Sequence, residues 1–209
     1  MKIYLIIGRN VDLKNFPFEE DSLKVGIDHG SLLALKNHLS LDYAIGDFDS
    51  CNEEEKRLIS LHVPHIIPLN PIKDDTDTKH AYDLWKDEKD VSFVLLGGIQ
   101  GKRIEHFYAN LELVMKDERV SLLDDTTEIF SLSGRKKLYP SAYKFISFFP
   151  VDEKACLSLK GFAYDIDHRV ISKGDGLGIS NEVKRDVAEV IVYSGKVLSF
   201  LSKNDNPLV

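Results

Sequence analysis

Short apolar runs alternate with amphipathic segments through about the first 125 residues. The runs are rich in β-branched residues, which is typical of buried strands, and the segments between them have the periodicity of helices. The predicted strands cover residues 3–7, 24–27, 43–45, 65–67, 92–96 and 120–123. The predicted helices cover residues 31–38, 53–61, 78–86 and 103–116. This alternation predicts an α/β fold with a largely parallel sheet.

The predicted helix at 103–116 has a continuous apolar stripe. Its apolar residues recur at three- and four-residue spacing, and they are Ile104, Phe107, Tyr108, Leu111, Val114 and Met115. A stripe of this kind normally faces the interior of a domain, so we expect these side chains to be core.

The pattern changes after Asp125. Helical periodicity disappears, and short apolar runs separated by Ser-Gly, Lys-Gly or Gly-Asp pairs cover 143–149, 155–159, 189–193 and 197–201. Such runs are typical of an all-β, sandwich-like domain. We therefore predict an α/β domain at 1–125 followed by a β domain at 126–209.

Composition narrows the possible functions. The chain has a net charge of −7, which argues against broad binding to nucleic acid or to anionic membranes. The first residues have an apolar run too short to span a membrane and no cleavage site after it, so we expect a cytoplasmic protein. Cys51 and Cys156 are far apart and are expected to be free thiols. An acidic protein that handles anions needs a metal ion.

The densest chemical signal is the segment Gly-Asp-Phe-Asp-Ser at 46–50, directly after a predicted strand. Gly46 permits a turn there, and Asp47 and Asp49 would project beyond the carboxyl end of the strand, where α/β folds bind ligands. Two carboxylates and substrate phosphates suffice for Mg²⁺. The alternative is structural, with Asp47 ending a turn and Asp49 or Ser50 capping the next helix.

A second acidic segment, Lys-Asp-Asp-Thr-Asp at 73–77, follows another predicted strand. If the two segments face each other, their carboxylates repel unless a cation lies between them. In the alternative interpretation, Lys73 pairs with a neighbouring acid while Thr76 or Asp77 caps the helix. Asp28 follows the predicted strand at 24–27, and it is either a ligand contact or the cap of the next helix.

Glycines precede the helix predicted at 103–116. Gly98 and Gly101 belong to a loop that can bring backbone N–H groups close to phosphate oxygens, although the loop is not a Walker A motif. The helix that follows the loop has a polar stripe on one face. Its members are Arg103, His106 and Asn110, and Glu105 lies beside it. The alternative is a solvated helix face.

In the second half, residues 174–182 are too rich in glycine for an ordinary strand. They present Ser180 and Asn181 as hydrogen-bonding groups. A plain connecting loop is the alternative.

These motifs, in this order, resemble bacterial thiamine pyrophosphokinase. The similarity lies in the combination of GDFDS at 46–50, the Lys-Asp-x-Thr-Asp pattern at 73–77, the segment at 98–110 and the late Ser-Asn-Glu at 180–182, with Asp28-x-Gly30 before them. The resemblance implies an ATP- and Mg²⁺-binding α/β domain, a thiamine-binding β-sandwich and a homodimer. The implied reaction transfers the diphosphoryl group of ATP to the thiamine hydroxyl and leaves AMP.

The hypothesis assigns roles to these residues. Asp47, Asp49 and Asp77 would hold Mg²⁺ against the phosphates of the co-substrate ATP, with Asp74 as a weaker candidate. Lys73 and Arg103 would neutralise phosphate oxygens, and the backbone of Gly98 and Gly101 would shape the phosphate loop. Asp77 or Asp28 would accept the hydroxyl proton. The remaining members of the binding set are Thr76, Glu105, His106 and Asn110, with Ser180 and Asn181 on the thiamine side.

Two positions depart from the family pattern, which usually reads Gly-Gly-Arg-x-Asp-His. Here Lys102 replaces a glycine and Glu105 replaces an aspartate. If the acid at 105 contacts a metal, phosphate-bound water or an arginine, the backbone must accommodate the extra methylene.

Two other classes of function have the same acidic signature. A phosphohydrolase could use an Asp-x-Asp pair with one aspartate as nucleophile. A noncatalytic sensor of nucleotide or thiamine would bind ligand and leave ATP intact.

Overall fold

The computed structural model describes residues 1–8, 11–72, 74–100 and 103–204. The chain divides into two compact units, one made of Met1–Leu113 with Leu122–Asp125, and the other of Val114–Ser121 with the residues from Thr126 onwards. Each unit has its own buried core.

The first unit alternates strands and helices. Its elements in chain order are β1 (Lys2–Ile6), β2 (Leu23–Ile27), α1 (His29–Lys36), β3 (Tyr43–Gly46), α2 (Glu53–His62), β4 (His65–Pro68), α3 (Asp77–Trp85), β5 (Ser92–Leu96), α4 (Ile104–Lys116) and β6 (Val120–Leu123).

The strands of this unit follow the order β4-β3-β2-β1-β5-β6. The β1–β2, β2–β3, β3–β4 and β1–β5 pairs are parallel. The central strands are apolar on both faces, as expected for a parallel sheet covered on two sides, and Ile3, Leu5 and Leu95 have no exposed surface. The carboxyl ends of these strands therefore meet along one edge of the sheet.

The second unit is built from antiparallel strands. They are β7 (Thr127–Leu132), β8 (Arg135–Leu138), β9 (Tyr143–Pro150), β10 (Lys154–Lys160), β11 (Ile166–Ser172), β12 (Ala188–Ser194) and β13 (Val197–Lys203). One layer has the order β7-β13-β9 and the other β11-β10-β12-β8. Buried side chains of both layers, among them Phe148, Leu157 and Val190, form one core, which is the arrangement of a β-sandwich.

The predicted fold class is confirmed: a largely parallel α/β part precedes an antiparallel β-sandwich. The prediction that the whole apolar stripe of α4 is core is wrong at two residues. Ile104 is 68% exposed and Tyr108 57% exposed, whereas Val114 has no exposed surface. The N-terminal part of α4 thus presents apolar side chains to the surface.

Among the described residues, the helices are all too short or too polar to cross a lipid bilayer. Both cysteines are free thiols.

Candidate active site

Asp28 follows β2 at the carboxyl edge of the parallel sheet. Its backbone has φ 46° and ψ −121°, an uncommon conformation that aspartate tolerates better than most residues, and its N–H donates to the carbonyl of Ile45 (2.9 Å). Asp28 occupies the N-cap position of α1, but its side chain makes no capping hydrogen bond. The capping alternative for Asp28 is therefore wrong, and its carboxyl group is directed elsewhere.

That carboxyl group lies against Gly46, at the end of the adjacent strand β3. A Cβ atom at position 46 would overlap Oδ1 of Asp28, so the glycine makes room for the acid. The same oxygen accepts a long hydrogen bond from the backbone N–H of Phe48 (3.4 Å). Phe48 itself has φ 53° and a ring that is 8% exposed, and this buried ring anchors the 46–50 loop.

Asp47 and Asp49 flank this anchored phenylalanine. The backbone N–H of Asp49 donates to Oδ1 of Asp47 (3.0 Å), which fixes the turn. Asp47 is half-buried and Asp49 is exposed. The cap of the following helix α2 is Asn52, which forms a capping box with Glu55. Neither Asp49 nor Ser50 is the cap, so that part of the structural alternative is wrong, whereas the side chain of Asp47 does close a turn, as that alternative expected.

At the start of α3, one residue caps the helix and its neighbour supplies a carboxyl group to the site. Thr76 is the N-cap, and its hydroxyl accepts from the backbone N–H of Lys79 (3.1 Å). Asp77 is the first helical residue, and its carboxyl group is hydrogen-bonded to that of Asp28. Asp74 is exposed, and Lys73 lies outside the described residues. The structure thus brings together Asp28, which follows β2, and Asp77, which begins α3, although the two are 49 positions apart in the sequence.

This proximity changes the acidity of Asp28. Burial, the charge of Asp77, the hydrogen bond to Asp77 and the charge of Asp47 raise the pKa of Asp28 to about 7, against the opposing effect of the Phe48 N–H. A hydrogen bond between two carboxyl groups requires that one of them holds a proton. Asp28, Asp47 and Asp77 therefore form an electrostatically crowded group.

The crowded group is not a complete metal cage. In the part of the chain that the structure describes, no three His, Cys, Asp or Glu side chains lie close enough together to hold a cation by themselves. Carboxylate oxygens are nevertheless hard ligands, and Mg²⁺ in phosphate-transfer sites takes only one or two of them, with phosphates and waters completing its shell. The residues fit such a shared site.

The glycine loop after β5 lies at the same sheet edge. A Cβ at Gly8 would be 2.6 Å from the backbone nitrogen of Gly98, and a Cβ at Gly97 would be 2.6 Å from the carbonyl of Gly8. The loops that follow β1 and β5 therefore touch backbone to backbone. Asn110 of α4, 5% exposed, places its side-chain amide against Gly98.

Next to this contact is a cavity of about 200 Å³ that Ile7, Gly8, Gln100 and Phe107 help to line. Arg103 and His106 also line it, and both are exposed.

Glu105, which replaces the family's aspartate, contacts an arginine. Nε of Arg103 donates to Oε1 of Glu105 (2.7 Å), and this hydrogen bond lowers the pKa of Glu105. The two side chains are 71% and 61% exposed, so the ion pair is a surface contact of small stabilising value. Gly101 lies outside the described residues.

In the second unit, Ser180 and Asn181 have different surroundings. Ser180 is exposed, has φ 56°, and donates its backbone N–H to Oγ of Ser147 (3.0 Å). Asn181 is 2% exposed, and its amide bridges the backbone of Tyr164, donating to the carbonyl (2.8 Å) and accepting from the N–H (3.0 Å). Asn181 thus builds the wall of a cavity of about 240 Å³ that Tyr164, Leu177 and Gly178 also line.

Sequence reasoning missed Gly8 and the two cavities. Gly8 could have been found, because it follows an apolar strand at the same kind of position that singled out Asp28. Tyr164 had no comparable signal, since its place at a cavity depends on hydrogen bonds to a residue 17 positions away.

Comparison with known proteins agrees with this organisation. The family model "Thiamin pyrophosphokinase, catalytic domain" matches residues 17–123, and "Thiamin pyrophosphokinase, vitamin B1 binding domain" matches residues 135–198. The thiamine pyrophosphokinase of Bacillus subtilis is 33% identical over 172 residues, which cover 79% of this chain and 80% of that protein.

Solved structures give the same result. The chain superposes on thiamine pyrophosphokinase from Bacillus subtilis with a TM-score of 0.88 and 27% identity, over 98% of this chain and 100% of that one. It superposes equally well, with a TM-score of 0.88 and 28% identity, on thiamin pyrophosphokinase from Geobacillus thermodenitrificans over the full length of both. The two domain matches, the sequence identity and the shared fold together show that the chain belongs to the thiamine pyrophosphokinase family.

Proposed function

We propose that this enzyme transfers the diphosphoryl group of ATP to the hydroxyl of thiamine in a Mg²⁺-dependent reaction that yields thiamine diphosphate and AMP. The observation that carries the proposal is the crowding of Asp28, Asp47 and Asp77 at one edge of the parallel sheet. Crowded carboxylates are unfavourable in a metal-free protein, and a magnesium–nucleotide complex relieves their repulsion.

Asp47, Asp49 and Asp77 are the residues that would hold Mg²⁺, with Asp74 as a further candidate from the same loop. When bound, the ion neutralises phosphate oxygens and aligns the β-phosphorus for in-line attack. The loop geometry supports this assignment, because Asp47 and Asp49 are not consumed by capping α2. Thr76 supports the site indirectly by starting α3 so that Asp77 faces Asp28.

Positive charge and backbone groups would stabilise the phosphates. Arg103 can reach a phosphate oxygen by exchanging its exposed partner Glu105, and Lys73 would contribute a second positive charge. Gly98 and Gly101 would bring backbone N–H groups to the phosphates, with His106 nearby. Asn110 would keep Gly98 in place, since its amide packs against that glycine.

The reaction also needs an acceptor for the proton of the thiamine hydroxyl. Asp28 and Asp77 are both candidates, because their hydrogen-bonded carboxyl groups share one proton and the carboxylate that does not hold it can accept another. One of the two would take the proton as the oxygen attacks phosphorus.

The cavity beside Asn181 would hold thiamine. Its lining combines apolar side chains with the aromatic ring of Tyr164, and such surfaces suit a positively charged thiazolium ring. Ser180 would hydrogen-bond the ligand from the rim, whereas Asn181 would act by holding the backbone of Tyr164. A homodimer and a cytoplasmic location are further expectations, which sedimentation analysis and cell fractionation would test.

The test is a product analysis with purified protein, thiamine, ATP and Mg²⁺. We expect AMP and thiamine diphosphate in equal amounts. Phosphate release without an acceptor would instead indicate a phosphohydrolase, and ligand binding with intact ATP would indicate a sensor. Either of those results, or the absence of both binding and turnover, would overturn the proposal.

A further inference from the structure

Asp175 and Gly176 form the only Asp-Gly pair of the sequence, which has no Asn-Gly pair. The pair lies in the loop between β11 and β12, and both residues are exposed. In such a pair the backbone nitrogen of the glycine can attack the side-chain carboxyl carbon of the aspartate, because the glycine has no Cβ atom to obstruct the approach. Of all the aspartates in the chain, Asp175 therefore has the following residue that favours this attack most.

The loop is fixed on both sides of the pair. Before it, the N–H of Lys173 donates to the carbonyl of Glu153 (3.0 Å). After it, the carbonyl of Gly178 accepts from the N–H of Phe148 (3.0 Å). The freedom of this loop is therefore concentrated in the short stretch between the two anchors, which contains the Asp-Gly pair.

The attacking nitrogen is accessible within this stretch. Among the residues that the structure describes, none is a hydrogen-bond partner of the Gly176 N–H. A Cβ atom built on Gly176 would meet no heavy atom within 4 Å, so the peptide unit has room to rotate. Oδ2 of Asp175 accepts from the N–H of Ser172 (2.9 Å), an exposed contact that breaks when the turn opens. Both reacting groups can thus meet without disturbing the β-sandwich.

We infer that Asp175 is a site of spontaneous isomerisation to isoaspartate. The nitrogen of Gly176 bonds to Cγ of Asp175, and the N–H proton leaves as water with the hydroxyl group of the protonated carboxyl, which gives a cyclic imide. Solvent water then cleaves the imide. Cleavage of the new bond restores aspartate, whereas cleavage of the original peptide bond leaves the main chain running through Cγ. Water is released once and consumed once, so the mass of the chain is unchanged.

The product would alter the wall of the cavity of about 240 Å³ in the β-sandwich. Gly176, Leu177 and Gly178 line that cavity. In isoaspartate the main chain is longer by one carbon atom, and the free carboxylate is attached to Cα. Because Phe148 holds Gly178, the extra length must be taken up by Gly176 and Leu177. The effect on thiamine binding rests on the proposed function, whereas the modification itself does not.

The chemical test is a peptide map of the full-length protein after prolonged incubation at pH 5 and at pH 8. Trypsin releases residues 174–184 as one peptide, since Lys173 precedes it and Lys184 ends it. We expect this peptide to split into two chromatographic peaks of equal mass, and to do so faster at pH 5, where more of an exposed carboxyl group is protonated. Equal mass excludes deamidation of Asn181, which raises the mass. Electron-transfer fragmentation should place the isoaspartate at residue 175.

Gly176→Ala and Asp175→Glu are the matched variants. Alanine fits at position 176, because its Cβ atom meets open space, and it should slow the conversion several-fold by hindering the attack. Glutamate would have to form a larger ring and should not convert detectably. An aged wild-type protein without an equal-mass isomer at residue 175, or equal conversion in Gly176→Ala, would overturn the inference.

The functional test compares fresh and aged protein. We expect the KM for thiamine to rise several-fold in converted wild-type protein and the KM for ATP to stay the same. Aged Asp175→Glu should keep the KM values of its fresh form. An unchanged KM for thiamine in fully converted protein would overturn the effect on the cavity. Failure of the proposed function is a different result, since it would show as absence of turnover in fresh wild-type protein, whereas the peptide map does not depend on turnover.

Discussion

Burial and the neighbouring carboxyl group of Asp77 oppose ionisation of Asp28, and the pKa of Asp28 rises from its ordinary value of 3.8 to about 7. Between those two pH values the folded chain retains a proton that the unfolded chain loses, so the stability of the folded state falls as the pH rises through this window. Above about pH 7 the loss is complete. The site is thus maintained against a stability cost.

Asp28→Asn should remove this cost in metal-free protein. After allowance for partial exposure, we expect a stabilisation on the order of 1–2 kcal/mol above pH 7, or a rise in Tm of roughly 2–8 °C. The gain should vanish near pH 4, where Asp28 is protonated in the folded protein. Thermal unfolding in EDTA at pH 4 and pH 8 measures it, and a variant less stable than wild type at pH 8 would contradict the electrostatic account.

Unlike Asp28, Asp49 should contribute little to stability, because its side chain is exposed and does not cap α2. Asp49→Asn should leave the free energy of unfolding within about 0.5 kcal/mol of wild type. Turnover should fall about 100-fold or more, because a charged group at the reaction centre is lost. Asp75→Asn is the control: Asp75 is another exposed acid, in the acidic segment at 73–77, and has no assigned role, so this variant should keep turnover. Equal losses of stability and activity in Asp49→Asn would return this residue to a structural role.

At the scale of elements, the start of α3 sets the geometry of the site. Thr76→Ala removes the capping hydroxyl and should cost about 1 kcal/mol. For a chain of this size we expect Tm to fall by about 2–4 °C. Thr76→Ser should restore the Tm, since it retains the hydroxyl. A loss of turnover in Thr76→Ala at unchanged Tm would instead make Thr76 a ligand contact.

The elements that the sequence predicted best are those whose own pattern decides their environment. The strands at 92–96 and 120–123 were predicted with their observed bounds, because each is a short, mainly apolar run with buried side chains. β7, β8 and β11 were missed, and of these β8 and β11 are edge strands of the four-stranded layer. β8 buries only Leu138 and β11 buries only Ile171, so neither has the alternating pattern of a half-buried strand.

The candidate site was predictable in part: its residues could be found from the sequence, but their contacts could not. The chemistry of Asp47, Asp49 and Asp77 is visible in short motifs, but the choice between cap and ligand is not, because it depends on partners distant in sequence. Asp28 shows this: its direction is set by a positive φ, by the missing Cβ of Gly46 and by Asp77. The exposed end of the α4 stripe was mispredicted for the same reason, since periodicity does not report a cavity.

For the whole molecule, a net charge of −7 makes binding of a polyphosphate unfavourable without cations. We expect EDTA to abolish turnover and Mg²⁺ to restore it. Raising monovalent salt should not substitute, because screening does not supply inner-shell ligands for phosphate. Assays of AMP formation across these conditions check this expectation, and turnover that persists in EDTA would contradict it.

The most direct test is a crystal structure of the protein with Mn²⁺, thiamine and a slowly reacting ATP analogue. Anomalous scattering locates Mn²⁺ without reference to any assumed ligand. The account predicts an anomalous peak in direct contact with carboxylate oxygens of Asp47, Asp49 or Asp77 and with phosphate oxygens of the nucleotide. A nucleotide bound with its metal away from all three carboxylates would contradict it.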